Sequence, residues 1–226
     1  MSIIFPIIET FAPIIPLLAC LIVKARGGWV RVLVIYFIVY IMLAGFANFS
    51  SLFAKDNIIV YTVINVFTFT CFIVVLNIFV GNKYFQIPSY LLIALVIIFG
   101  FYNSIRPGGL KYFDSRTSSA CAIILLIYCV YYYWMQIQNP KEFFIYRKPS
   151  FWIVTAIFIY WGGNFFLFTN YRDLCLQAER LMFISHKKES NQLWNFAESI
   201  WIVVDFLIIL TNILFTKAIL CIRNKA

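Results

Sequence analysis

Five polar residues near the C-terminal end of the chain carry its clearest chemical signal. Asn191, Asn195, Glu198, Asp205 and Asn212 fall in an apolar segment, 191–216, at steps of four, three, seven and seven residues. Those steps place all five on one face of a helix, because seven residues make nearly two turns. An acid at bilayer depth costs at least ~2.5 kcal/mol and faces protein or water rather than lipid. The stripe is therefore expected to turn into a bundle, with the other segments packed around it. Two roles fit that placement. The side chains either tie helices together or form a ligand, proton or ion site inside the bundle. Glu198 and Asp205 are separated by ~10.5 Å of helix axis, too far to share one proton. A paired-acid hydrolase would need its second acid from another helix, and Glu9 is the candidate. Asn48, Tyr61, Asn65 and Asn164 are the candidate polar neighbours of these acids.

The elements that would position these residues are membrane spans. The chain has 226 residues, of which 63% are hydrophobic and 12% charged, and its mean hydropathy is +0.90. A soluble domain of this length is about half apolar, so the composition is that of an integral membrane protein in contact with lipid. The net charge of +9 lies in short loops between apolar runs. It makes no basic face on a soluble module and gives no reason to expect nucleic acid. The 25 Phe and 14 Tyr suit lipid-facing surfaces and interfacial belts.

Turn signals divide the chain into seven expected helices at 2–23, 29–53, 58–80, 87–105, 117–138, 150–170 and 191–216. The first is expected to be a retained span rather than a signal peptide, because its first positive charge, Lys24, follows the apolar run. Pro6, Pro13 and Pro16 interrupt it, and Glu9 lies between the first two. Pro88 is read as a first-turn proline of the fourth helix. Asn65 shares a face of the third with Tyr61 and Thr68, four and three residues away. In the sixth helix, Gly162 and Gly163 are expected to allow either a local opening or, the first reading, close packing beside Asn164. Residues 171–190 read as the longest loop, with Cys175 and the single histidine, His186, inside it. The fold class is all-α: one polytopic transmembrane bundle of seven helices over 1–226. With the N-terminus outside and the C-terminus cytoplasmic, inner segments hold ten Lys and Arg against eight outside. Three of the ten follow the first helix at once.

Several seven-helix chemistries are excluded by missing motifs. The last span has no mid-helix lysine for a retinal Schiff base. There is no Asp-Arg-Tyr, no Asn-Pro-x-x-Tyr, no Pro-Gln pair and no intramembrane protease signature. The cysteines show no C-x-x-C spacing, so neither a zinc site nor a disulfide framework is expected. No cofactor is implied.

The segment Ile59-Val-Tyr61-Thr62-Val-Ile-Asn65-Val-Phe67 and the stretch from Phe151-Trp152 to Asn164-Phe165 resemble small seven-helix membrane proteins of Bacteroidota. Those often carry Tyr-Thr-x-x-Glu-Phe at the third-helix site, where this chain has Asn65 in place of Glu. They are regarded as membrane sensors, sometimes encoded near or joined to histidine kinases. The resemblance implies a bacterial inner membrane. The first reading is an integral membrane sensor or signalling subunit with a polar site inside the bundle, acting through a protein partner or as a homo-oligomer. A small-solute or proton-coupled transporter is the second reading. A structural subunit and an intramembrane hydrolase rank below both.

Overall fold

A computed structural model describes residues 8, 10–53, 58–105, 113–138, 144–184 and 187–223, with the side chains of 51–53, 58, 198 and 223 outside that description. Seven helices of ten residues or more are present among the described residues: α1 (Ile14–Val23), α2 (Gly28–Phe53), α3 (Ile58–Val80), α4 (Lys83–Ile105), α5 (Ser115–Gln138), α6 (Pro149–Phe183) and α7 (Lys187–Arg223). A 3-10 turn, Ile145–Arg147, precedes α6. The helices α2 to α7 are each long and apolar enough to cross a membrane, the pattern of a multi-pass membrane protein.

Local chemistry sets where the helices begin and end. Asn82 Oδ1 accepts the Tyr84 backbone N–H at 3.0 Å, an N-cap that starts α4 at Lys83. Pro88 is therefore an interior residue of α4 and not, as expected, part of its first turn. Asp114 Oδ1 accepts the Thr117 N–H at 3.2 Å and starts α5 at Ser115. Pro149 occupies the first position of α6, where its missing N–H has no helical partner to lose. The first span is not one continuous helix from 2 to 23. Residues 12 and 13 form a turn. Neither Pro13 nor Pro16 can donate a backbone hydrogen bond, and the Ala12 carbonyl accepts instead from Ile15 N–H at 3.3 Å. The ten residues of α1 reach only ~15 Å, half a bilayer core.

The largest departure from the expected layout lies at 171–190, where helix replaces most of the expected loop. α6 has 35 residues and α7 has 37. They meet as an antiparallel hairpin: Tyr171 packs on Trp201 with ring centroids 5.3 Å apart, and Ser190 Oγ donates to the Ala178 carbonyl at 2.8 Å. The Arg172 backbone N–H meets Ser115 Oγ at the start of α5 (3.3 Å). Residues 173–183 run on past that level as ~16 Å of further helix. The inner face of this projection is built from small residues, Cys175, Ala178 and Ala197, all buried. Cys175, expected in an open loop, is only 1% exposed.

The helix at the centre of the bundle is α3, not α7. It packs against α2, α4, α5 and α6, and Phe69, Phe72, Ile73, Val75 and Leu76 along it are fully buried. The main neighbours of α7 are α6 and α1. Gly162 and Gly163 serve close packing on both sides of α6, against Leu126 of α5 and Leu207 of α7 respectively.

Candidate functional site

The C-terminal polar stripe divides in two. Asp205 and Asn212 are buried, at 7% and 5% exposure. Asn195 is exposed and Asn191 with it. A straight helix drifts by ~20° per seven residues, and the step from Asn195 to Asn212 amounts to ~100° around the axis. Only the C-terminal part of the stripe can therefore face the interior. Asn195 is not an interior residue. Glu9 and the side chain of Glu198 lie outside the described residues.

The other sequence candidates do not gather around the acids. Asn48 Nδ2 donates to Thr10 Oγ1 at 2.7 Å, tying α2 to the segment before α1. Asn65 Nδ2 donates to Ser118 Oγ at 3.0 Å, tying α3 to α5. Tyr61 is half-buried on α3. These bonds join separate pairs of helices, as structural ties do. A third tie was not anticipated from the sequence: Ser89 Oγ contacts Asn77 Oδ1 (2.8 Å) and Tyr128 OH (2.7 Å), linking α4, α3 and α5. Asn164 differs from these. It is completely buried in α6, and among the described residues neither its Nδ2 nor its Oδ1 has a partner; the nearby Trp161 Nε1 also has none there.

A small cavity lies between α2, α3, α6 and α7. It is lined by Tyr36, Tyr40, Phe72, Tyr160, Ile208, Thr211 and Asn212. It has room for about one water molecule. An aromatic cluster backs it: Tyr36 lies 4.9 Å from Phe72 and 5.7 Å from Tyr40 between ring centroids, and Phe215 lies 5.8 Å from Phe72. Asn212 Nδ2 donates to the Ile208 carbonyl at 2.8 Å, while Asn212 Oδ1 and Thr211 Oγ1 are buried without a partner among the described residues. Sequence reasoning found Asn212 and missed the rest of this wall. The available signal was Tyr36 and Tyr40, four residues apart on an otherwise apolar stretch, together with the adjacent pair Thr211-Asn212.

Asp205 lies one heptad before Asn212, ~20° from it around α7. No hydrogen bond or ion pair to its carboxyl is present among the described residues. No group of three or more metal-ligating side chains occurs among the described residues either. The arrangement can bind a small polar guest and hold it by acceptor atoms and aromatic rings. No protein-family model, curated protein or solved structure matches the chain.

Proposed function

We propose that this membrane protein is a sensor or signalling subunit that binds a small ligand inside the bundle and passes the bound state to a partner protein. One observation carries the reading. The helices that wall the cavity, α6 through Tyr160 and α7 through Thr211 and Asn212, are the same two that project as a hairpin beyond the start of α5. Packed helices shift as units by ~1–2 Å in switching proteins. A ligand that changes the spacing of α6 and α7 at the cavity would then move the hairpin. Its tip offers exposed Met182, Phe183 and Ile184 beside exposed Arg180, Lys187 and Lys188, a surface of the mixed character that protein partners use.

The bacterial inner membrane, with the basic turn before α2 and the C-terminus cytoplasmic, and the N-terminus outside through a seventh crossing by the proline-broken first segment, belongs to the same reading. Its support is the early basic cluster Lys24, Arg26 and Arg31 and the resemblance of the third-helix segment. Purification from native membranes in mild detergent tests the reading. It expects a stoichiometric partner that is lost when Phe183→Asp is introduced at the tip. A chain that purifies alone, and in liposomes carries a solute flux, is a transporter and overturns the reading.

A further inference from the structure

We propose that the cavity between α2, α3, α6 and α7 is a site for a small ammonium-type cation, ammonium itself or methylammonium. The inference names the ligand class for the sensor reading and rests on it only for its biological role.

The sign of the guest follows from Asn212. Its Nδ2 faces the Ile208 carbonyl, which can only accept, so the amide orientation is fixed by chemistry. The amide atom left without a partner among the described residues is the acceptor, Oδ1, on a side chain 95% buried by its 5% exposure and belonging to a residue of the cavity wall. Thr211 Oγ1, also unpartnered, supplies a second oxygen. A guest that donates satisfies Oδ1; an anion does not. The rings of Tyr36, Tyr40, Phe72 and Tyr160 form most of the remaining wall. Aromatic faces attract cations within ~6 Å and are the usual means of holding ammonium groups away from water. No basic side chain lines the cavity. Lys217, further along α7, stands 6.0 Å from the Trp152 ring. Asp205, on the same flank of α7, adds a buried carboxyl with no counter-charge among the described residues.

Size selects within the cations. The space suits about one water molecule, and ammonium is of that size and carries N–H donors. Alkali ions prefer a cage of several oxygens to a wall of rings. Larger quaternary ions would need the helices to separate.

The test is equilibrium binding to the purified full chain in lipid nanodiscs. Ammonium chloride and methylammonium chloride are titrated against sodium chloride at equal ionic strength, with thermal unfolding and tyrosine and tryptophan emission as readouts. The expected result is a saturable rise in Tm with ammonium and methylammonium, and none with sodium. Tyr160→Leu and Asn212→Leu should each weaken binding by about tenfold, while Tyr160→Phe, which keeps the ring, stays near wild type. Should Asn212→Leu fail to fold, Thr211→Val keeps the shape of the wall and should still weaken binding. An equal shift in sodium chloride, no saturation, or unchanged binding in Tyr160→Leu and Thr211→Val overturns the cation site. If no cation binds but a partner still co-purifies, the site falls and the sensor reading stands. If ammonium binds and crosses liposomes without any partner, the site stands and the sensor reading falls.

Discussion

A Cβ built on Gly163 would stand 2.7 Å from Leu207 Cδ1, closer than carbon atoms approach. The missing side chain is thus what lets α6 and α7 approach at the level between the aromatic base of the hairpin and the cavity. Small residues do this in membranes because lipid gives helices little hydrophobic reason to associate, so contact area decides. The first prediction follows. Gly163→Ile overfills the contact and should destabilise the protein by about 1–3 kcal/mol, read as a lower Tm in detergent. Gly163→Ala should do less, because the end of Leu207 can move. Gly162→Ala meets Leu126 Cδ2 at an ordinary 3.4 Å and should leave Tm almost unchanged. Equal losses at the two glycines would show that helix propensity, not the Leu207 contact, is at work.

Asp205 gives a prediction about charge. A carboxylate buried within a span without a counter-charge is costly, and no described residue pairs with it. Asp205→Asn and Asp205→Leu should therefore both fold, with Tm equal to or above wild type, while signalling or partner response falls. Thermal unfolding and the partner assay are read side by side. An unfolded Asp205→Leu beside a fully active Asp205→Asn would mean that the carboxyl is a structural tie.

The Asn65–Ser118 bond, at 3.0 Å in a buried position, is a tie that can be measured. A double-mutant cycle with Asn65→Ala and Ser118→Ala should give a coupling of about 0.6 kcal/mol, up to ~1.7, as interhelical bonds in membranes do. A coupling indistinguishable from zero would remove this bond from the account of how α3 holds α5.

Thiol labelling addresses both the hairpin and the orientation. Cys175, at 1% exposure, should resist an impermeant maleimide until the protein is unfolded. A cysteine placed at exposed Lys188 should react at once in intact cells if the N-terminus is outside. Reaction only after the inner face is opened would invert the orientation. Rapid labelling of native Cys175 would mean that residues 171–183 do not pack as a helix against α7.

The sequence by itself determined the helical class, the membrane-spanning character and most helix positions. Apolar runs of ~20 residues have one stable form in lipid, because every backbone polar group must be satisfied within the segment. It determined the role of the paired glycines for the same reason of proximity. It also picked out Asp205 and Asn212, since polar groups in such runs turn inward.

The tertiary structure decided the rest. Residues 171–183 and 187–199 are amphipathic, with small and apolar residues at three- and four-residue steps, so a hydropathy reading sees their charges and takes them for a loop. Only the packing of Cys175, Ala178, Ser190 and Ala197 makes them a hairpin. Periodicity alone put Asn195 beside Asn212; the drift of a real helix turned Asn195 out. The central place of α3 and the cavity walled by Tyr36, Tyr40, Phe72 and Tyr160 depend on which faces of four separate helices meet. Such meetings are long-range facts of packing, and no spacing along one helix encodes them.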